Sequence, residues 1–475
     1  MSQHDLNIAN QGFPAFRADL NDALVALGTT NSGATAPATT FANQLWYDTA
    51  NNILKIRNED NDAWISIATL DQTGDLVSAI GSTTLANLVT LAGTQTLTNK
   101  TLTSPAINGQ TVDKITDTQG GVFTPSSAIM RNRIINGAMV IDQRNAGASV
   151  TLTTATLYPV DRFATYEGTA GATVTAQRST VVPTGFTNSL LFTVSTGASP
   201  ASGDINGFWQ SIEGFNVADL GYGTANAKTV TLSFWVRSSV TGTYSVSFNN
   251  GDVNRYYVAN YVINAANTWE QKTVTIAGDT SGTWNTGNGT GLQVIWDLGY
   301  GSSFDGTAGS WGSSTNRRTS GSVSLVATTG ATFYITGVQL EVGTQATSFE
   351  YRPYGTELML CQRYLPAWIY GSGNDNIGFG YSFNSTQSFI AISIPVTPRV
   401  APTGLTVTGA FNMTLRNGVN NGGTPGSVTT NVFSSGTNQS ILVNTGTNNP
   451  TLNAGDGAFL FASGASRILF TGCEL

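Results

Sequence analysis

Alternation of polar and apolar residues is the feature that most limits how this chain can fold. In residues 229–237, Thr-Val-Thr-Leu-Ser-Phe-Trp-Val-Arg, apolar side chains recur at every second position from Val230 to Val236. Successive side chains of a β-strand point to opposite faces, so this pattern predicts a sheet with one buried face. Comparable strands are predicted at 131–141, 189–194, 243–249, 255–263, 269–276, 292–296, 322–327 and 332–342. No helical pattern separates them, which predicts a large two-sheet β-sandwich over residues 130–355, and we favour a jelly roll.

The end of this region is marked by two interruptions. Gly337 breaks the alternation of the strand 332–342 and predicts a bulge there. Residues 352–355, Arg-Pro-Tyr-Gly, then predict an end to the strand region, because proline fixes φ and glycine tolerates positive φ. Another apolar run begins at residue 358, so we expect a second, smaller β-sandwich knob over residues 356–475.

The N-terminal residues predict a helix followed by a small β-meander. Apolar residues recur at helical spacing within 13–28, at Phe16, Leu20, Leu24 and Leu27. Short strands are predicted at 44–48, 53–57 and 63–67, with Trp46 and Trp64 as core residues. A domain of residues 1–68 with one thin core is marginal alone, so the helix must pack on a sheet or on copies of itself.

Residues 69–129 predict a thin shaft or linker rather than a compact domain. The near-repeat Thr-Leu-Thr-Asn-Lys-Thr-Leu-Thr at 96–103 places leucine and threonine in alternation. This pattern suits short strands stacked between identical chains, with leucine at a shared axis. A disordered linker is the alternative for this segment.

Composition excludes several classes of function. Only 10% of the residues are charged, where about 25% is typical. The formal net charge is −7 and no basic cluster is present; the pair Arg317-Arg318 is interpreted as solvated. Nucleic-acid binding is therefore not expected, since phosphate backbones attract clustered Lys and Arg. No apolar run approaches the roughly 20 residues needed to span a bilayer, and no secretory leader is recognised, so neither membrane insertion nor export through a leader is expected.

The supply of reactive side chains is equally restrictive. His4 is the single histidine, which argues against Ser-His-Asp, Cys-His and multi-histidine metal chemistry. Cys361 and Cys473 lie far apart in apolar segments that resemble strands, so we expect two small buried side chains rather than a disulfide framework or a zinc site. We predict no cofactor and no metal.

Glycan binding needs no reactive side chain, because an aromatic ring beside polar side chains can hold the C–H face and the hydroxyls of a sugar. Aromatic residues in or beside Gly-rich loops provide such platforms. The candidate glycan-binding residues are Trp209, Tyr256, Tyr257, Asp305, Trp311, Trp368 and Tyr370. For each of them, packing against its own sheet or against a neighbouring subunit is the alternative.

Glycoside hydrolysis needs two carboxylates about 5–9.5 Å apart. Acidic residues occur in loops rich in Gly, Ser and Asn, but none has a recognisable partner spacing, and the rungs of a parallel β-helix are missing. These acidic candidates are Asp204, Glu213, Asp252, Asp297 and Asp305. Turn formation is the favoured interpretation of each, and we do not expect an enzyme.

Three stretches resemble bacteriophage tail fibres. They are ITGVQLEVGTQATSFEYRPYGTELMLCQRYL, which is similar to the end of a tail-fibre jelly roll, the opening segment from NIANQGFPAF to NDAWI, and the shaft-like LAGTQTLTNKTLTSPAI. RNRIINGAM at residues 131–139 is similar to the same family. The resemblance is confined mostly to residues 7–107 and 333–365.

The resemblance implies a phage tail fibre or receptor-binding protein, located in the virion. It implies a homotrimer whose residues 1–68 dock onto the phage tail or an adaptor protein, and a host polysaccharide or lipopolysaccharide as the ligand. Three alternatives remain: a polysaccharide-depolymerising tailspike, a purely structural virion appendage protein, and a cellular adhesin, which the lack of a recognised leader disfavours.

Overall fold

A computed structural model shows a mainly β protein, which confirms the predicted fold class. It describes residues 3–8, 10–80, 83–84, 115–116, 122–123, 130–313, 315–371, 374–383, 388–409, 411–415, 440–444 and 454–475. The chain divides into two compact units, Met1–Gln110 and Thr111–Leu475. The repeat at 96–103 lies outside the described residues. So do residues 417–426, whose Gly- and Asn-rich sequence predicts an exposed loop.

The first unit consists of helix α1 (Phe13–Gly28) and a five-stranded antiparallel sheet, and the predicted helix is confirmed. The strands pair in sequence order and are β1 (Leu45–Asp48), β2 (Ile53–Arg57), β3 (Trp64–Asp71), β4 (Leu76–Ile80) and β5 (Thr83–Thr84). The sheet therefore continues past residue 68. Trp46 is buried as predicted, with its ring centroid 5.2 Å from that of Trp64.

The second unit contains the predicted β-sandwich, preceded by a two-stranded pair, β6 (Ile115–Thr116) and β7 (Val122–Phe123). The sandwich strands are β8 (Val150–Thr151), β9 (Leu157–Val160), β10 (Phe163–Glu167), β11 (Thr173–Ser179), β12 (Ser189–Thr196), β13 (Asn206–Glu213), β14 (Val230–Ser238), β15 (Gly242–Asn250), β16 (Tyr256–Ile263), β17 (Glu270–Ile276), β18 (Thr290–Asp297), β19 (Trp311–Gly312) and β20 (Thr332–Val342). They form a six-stranded sheet, β17-β14-β20-β12-β11-β8, and a seven-stranded sheet, β19-β16-β15-β18-β13-β10-β9.

The core lies between these two sheets and follows the alternation in the sequence. On β14, Leu232 and Phe234 are fully buried, while Trp235 and Arg237 on the opposite face remain half-buried. Trp296 of β18 is also fully buried, and its ring stacks on that of Phe208 at 5.0 Å. Such rings contribute most of the apolar area that stabilises the sandwich.

The predicted bulge at Gly337 is confirmed. The register between β14 and β20 shifts opposite this residue, and Gly337 has a φ of +62°. A Cβ atom here would lie 2.6 Å from the ring of Phe186, so both the backbone conformation and the available space require glycine.

Two predicted strands are wrong. Residues 131–141 are irregular, because the Asn132 side chain replaces a regular ladder by donating to the Val338 carbonyl and accepting from the Leu340 amide. Residues 322–327 end in a short 3-10 helix, Leu325–Ala327, rather than a strand. Both segments still bury apolar side chains, which is why their composition resembled that of strands.

The motifs that resemble tail fibres fold onto one another. Glu341 of the QLE motif accepts hydrogen bonds from Gln339 and Thr347, and all three residues are buried. Glu350 accepts hydrogen bonds from the amides of Met130 and Asn132 at the start of the RNRIINGAM segment. These hydrogen bonds join the segment that follows β20 to β20 itself and to residues 130–132.

A helix, not a strand, starts the C-terminal part. Helix α2 (Tyr354–Gln362) carries Cys361, so the interpretation of this cysteine as part of a strand-like segment is wrong, although Cys361 and Cys473 are both buried and free as predicted. The knob strands are β21 (Ala367–Tyr370), β22 (Asn374–Ser382), β23 (Ser388–Ser393), β24 (Gly404–Thr408), β25 (Phe411–Leu415), β26 (Ser440–Asn444), β27 (Gly457–Ser463) and β28 (Ser466–Thr471). They form a three-stranded sheet, β21-β28-β24, and a five-stranded sheet, β25-β27-β22-β23-β26.

Buried ion pairs join this C-terminal part to the sandwich. Glu213 at the end of β13 accepts hydrogen bonds from Arg363 and from the Tyr364 hydroxyl. Arg162 pairs with Glu474, and its guanidinium lies 3.5 Å from the centroid of the Tyr364 ring. Buried charges are tolerated only when they are paired, so these contacts fix the position of α2 against the sandwich.

Candidate functional site

The outer face of the seven-stranded sheet carries a shallow groove of about 180 Å³. Aromatic, amide and guanidinium side chains form its walls. The lining residues are Tyr166, Ile205, Trp209, Gln293, Ile295, Tyr300 and Arg317. We call this cavity the sheet groove.

Strand register brings the floor of the sheet groove together. Trp209 on β13 lies opposite Ile295 on β18, and Ser211 lies opposite Gln293. The neighbours of Trp209, Phe208 and Gln210, are buried on the inner side, so Trp209 itself points outward and is half-buried. The same alternation sends Gln293 and Ile295 outward, beside the indole.

Arg317 covers one side of this face. Its guanidinium lies 5.2 Å from the ring centroid of Tyr256 and 5.9 Å from that of Tyr300. Both distances are in the range of cation–π attraction, which orders a long side chain that would otherwise be mobile. Tyr256 is only 2% exposed, so this candidate forms the base of the face beneath Arg317.

Two buried polar atoms on the same face have no hydrogen-bond partner among the residues described. They are the hydroxyl oxygen of Ser247, opposite Ile295, and the amide oxygen of Asn249, opposite Gln293. Buried polar atoms are normally paired with protein or water, so polar molecules are expected at this face.

A buried carboxylate borders this area. Asp297 on β18 accepts hydrogen bonds from the amides of Gly299 and Tyr300, and its other oxygen lies 3.9 Å from Arg318. Burial raises the pKa of Asp297 from 3.8 to about 6, although Arg318 and the two amides act in the opposite direction. Asp305 pairs with Arg318 at 3.1 Å, so this candidate is engaged in an ion pair.

Tyr257 and Trp311 lie on the core side instead. Tyr257 follows Tyr256 on one strand, so the two rings must point to opposite faces. Trp311 on β19 lies 5.4 Å from Tyr257 and 5.3 Å from Trp284, ring centroid to centroid, and its indole N–H donates to the Ala277 carbonyl at 2.7 Å. Trp311 thus packs on its own sheet and closes one edge of the core.

Trp368 and Tyr370 lie together in the knob, away from the sheet groove. Their rings are nearly parallel, with an interplanar angle of 12° and centroids 6.4 Å apart. Both pack against the apolar core of the knob, and the Trp368 indole donates to the Ser393 carbonyl at 2.8 Å. Strand alternation places Ile369 on the opposite, outer face of β21.

The acidic candidates are dispersed. Asp204 accepts a hydrogen bond from the Ala201 amide in a turn, Asp252 is exposed, and Glu213 is buried in the ion pair with Arg363. Among the five acidic candidates, Asp297 and Asp305 lie close together, because both contact Arg318. In the part of the chain that the structure describes, no group of three or more His, Cys, Asp and Glu residues is arranged to hold a metal ion.

Arg317, Gln293, Tyr166 and Tyr300 were missed by sequence reasoning. The interpretation of Arg317-Arg318 as a solvated pair is wrong, because both side chains are partly buried, one over aromatic rings and the other between carboxylates. Alternation along β18 could have revealed Gln293, since it lies between inward-facing Leu292 and Val294. The position of Arg317 depends on a loop, for which no sequence periodicity exists.

No helix among the described residues is long and apolar enough to cross a membrane. No protein-family model and no curated protein matches the sequence.

Several solved structures show limited similarity to the chain. A CBM4 structure matches with a TM-score of 0.22 and 15% identity, covering 44% of this chain and 98% of that one. A family 11 carbohydrate-binding module from Clostridium thermocellum, in complex with a β-1,3-1,4-mixed-linked tetrasaccharide, matches with a TM-score of 0.22 and 12% identity over 43% of this chain and 98% of the module. The enzymatically active domain of tailspike protein 4 from bacteriophage CBA120 matches with a TM-score of 0.24 and 15% identity, over 45% of this chain but 22% of that protein. At TM-scores this low the β-sandwich assignment rests on the chain's own strand pairing.

Proposed function

We propose that this chain recognises a glycan through the sheet groove. The observation that carries the proposal is the half-buried Trp209, held in the floor of a groove beside amide and guanidinium donors. An indole offers a flat apolar surface to the C–H face of a sugar, while Gln293 and Arg317 can bond its hydroxyls. The groove, of about 180 Å³, is small, which suits one sugar ring rather than a long chain.

Replacing Trp209 with alanine is expected to weaken glycan binding about tenfold. Loss of an aromatic contact of about 1.4 kcal/mol corresponds to this change in Kd. Binding should be measured by glycan array followed by calorimetry on the glycans that bind. The matched control is Trp269→Ala, which removes a half-buried indole from outside the groove, where it packs on Tyr334. Equal binding by the Trp209 variant and the wild type would refute the role of the sheet groove.

We propose binding without cleavage of the polysaccharide. Asp305 beside the groove is tied to Arg318 at 3.1 Å, and Asp297 is 1% exposed, so neither carboxylate is placed to reach a glycosidic bond. Release of reducing ends from a polysaccharide that the protein binds would replace this proposal with a depolymerase.

We further propose that the chain acts in the virion as a trimeric phage tail fibre, attached to the tail or an adaptor through residues 1–68. The quoted sequence motifs support the family. Exposed apolar side chains on α1 support association of the N-terminal unit, since Phe13 is 75%, Leu24 57% and Leu27 60% exposed. Particles carrying Trp209→Ala should adsorb poorly to host cells, whereas unchanged adsorption would favour a purely structural appendage.

The intact chain is expected to have three times the 49.7 kDa mass of a single copy in light scattering. Placing charges on α1 with Leu24→Glu and Leu27→Glu should shift the mass towards one copy, because buried unpaired carboxylates oppose association. Asn21→Glu adds a charge at a polar position of the same helix and serves as the control. A single-copy mass for the unmodified chain would contradict the trimer.

A further inference from the structure

A second and larger cavity, of about 670 Å³, lies between the sandwich and the knob. Residues 141–143, Ala146 and Arg178 of the sandwich form one wall, and helix α2 forms another. The third wall is the three-stranded knob sheet, where Ile369, Arg467 and Thr408 lie side by side in register across β21, β28 and β24. We call this cavity the junction groove.

Two arginines of the junction groove lack an acidic partner. Arg178 donates one hydrogen bond to the Val140 carbonyl at 2.9 Å, and Arg467 donates one to the Arg144 carbonyl at 2.5 Å. Within the described ranges, neither guanidinium lies within 4.0 Å of a carboxylate. A guanidinium has five N–H donors, so each arginine retains donors for a ligand after its single bond to the main chain.

Two neighbouring arginines are paired with carboxylates. Arg144 lies 3.4 Å from Asp161 and 3.0 Å from Glu474, and Arg363 pairs with Glu213. Arg399 has no carboxylate partner among the described residues either, but it donates to three carbonyls, those of Cys473, Asn288 and Glu474. Arg178 and Arg467, with one hydrogen bond each, therefore keep more donors available for a ligand than these neighbours do.

The charge of the junction groove is positive in an acidic protein. Its acidic lining residue is Asp142, whose two oxygens accept hydrogen bonds from the amides of Asn145 and Gly147. Two guanidiniums against one carboxylate leave a net charge of +1, whereas the whole chain carries −7. Because the cavity walls exclude part of the solvent, an anion here is attracted more strongly than at an open surface.

We propose that the junction groove binds the anionic group of an acidic saccharide, either a carboxylate or a phosphate. Guanidinium forks match the geometry of both groups and form charge-assisted hydrogen bonds with them. Exposed apolar side chains at the rim, Ile369 and Tyr354, provide contact for the sugar ring. The saccharide part of the ligand rests on the proposed function, whereas the anion preference rests on the two arginines.

The probes are tri-galacturonate, neutral galactotriose and galactose 6-phosphate, titrated calorimetrically into the intact protein. We expect at least one anionic probe to bind and galactotriose to bind at least tenfold more weakly at this groove. The better of the two anionic probes identifies the group. Arg178→Gln and Arg467→Gln should each weaken its binding about tenfold or more, since each removes a charged hydrogen-bond donor.

Three controls keep the outcome decisive. Arg237→Gln removes a guanidinium that packs over Tyr334, neither of which lines the groove, and should leave binding unchanged. Arg178→Lys keeps the charge but not the fork, so it should bind with intermediate affinity if the fold is intact. Trp209→Ala should leave the anionic probe bound. Three results would overturn the proposal: galactotriose binds as well as both anionic probes, both glutamine variants bind as well as the wild type, or neither anionic probe binds. If binding is lost in Trp209→Ala alone, the saccharide binds in the sheet groove instead.

Discussion

Replacing Glu213 with alanine is expected to accelerate amide hydrogen exchange in α2 and the following turn about a hundredfold. Glu213 is 1% exposed and accepts hydrogen bonds from Arg363, at 2.8 and 2.5 Å, and from the Tyr364 hydroxyl at 2.8 Å. Removing Glu213 is expected to cost about 3 kcal/mol, because the Tyr364 hydroxyl stays buried without its acceptor and the Arg363 charge, 32% exposed, is only partly solvated. That change in the local opening free energy corresponds to the expected ratio of exchange rates.

The pH dependence of this contact has a definite sign. Burial alone would raise the pKa of Glu213, but the hydrogen bonds from Arg363 and Tyr364 hold it below its usual value. A carboxylate with a lowered pKa stabilises the fold above its unfolded pKa, and that stability is lost as the pH falls through the folded pKa. The wild-type junction should therefore loosen in acid, and the Glu213 variant should lose this dependence.

A matched control is available in the pair formed by Asp219 and Arg133. Their N–O distance is 2.8 Å, but the Asp219 side chain is 46% exposed, so water replaces the lost partner. Asp219→Ala should change stability by less than about 1 kcal/mol. Similar exchange rates in α2 for the Glu213 variant and the wild type would show that apolar packing, not the ion pair, holds the junction.

The architecture could be predicted from the sequence because alternation is a local signal. The sequence of each strand in the sandwich indicates which of its faces meets the core, and the apolar residues of β14 face the core as predicted. Thr231 and Ser233, on the polar face, are nevertheless buried as well. The failures at 131–141 and 322–327 have different causes. The second segment ends in the 3-10 helix Leu325–Ala327, whereas in the first the Asn132 side chain takes the place of a ladder. Side-chain hydrogen bonds such as those of Asn132 can replace a ladder, and composition does not distinguish the two arrangements.

The candidate site was less predictable, because it depends on which distant strands become neighbours. Trp209 meets Gln293 and Arg317 through pairing of β13 with β18 and through a loop that returns over the sheet. Tyr256 and Tyr257 show the limit of a composition argument, since adjacent strand residues cannot share a face. For Trp311 the alternative of packing within the chain applies, since its ring contacts those of Tyr222, Tyr257 and Trp284.

Replacing Asp297 with asparagine is expected to abolish a fall in sandwich stability of about 3 kcal/mol between pH 4 and pH 7. Burial raises the pKa of Asp297 from 3.8 to about 6. A carboxyl with a raised pKa holds its proton more tightly in the folded state, so its stabilising contribution is complete below pH 3.8 and is lost as the pH rises through about 6. A shift of about two pKa units corresponds to roughly 3 kcal/mol at 1.4 kcal/mol per unit.

Asparagine is a suitable replacement because its side-chain oxygen can still accept from the amides of Gly299 and Tyr300, at 2.7 and 2.8 Å. Arg318 keeps a counter-charge in Asp305 at 3.1 Å. Denaturant unfolding followed by tryptophan fluorescence, repeated across this pH range, gives the difference between variant and wild type, in which the other carboxylates cancel. Asp219→Asn, at an exposed pair, should keep the wild-type slope. If the Asp297 variant shows the same change of unfolding free energy with pH as the wild type, the buried carboxylate beside the sheet groove is not the group that titrates. Arg318 would then lower the pKa of Asp297 by as much as burial raises it.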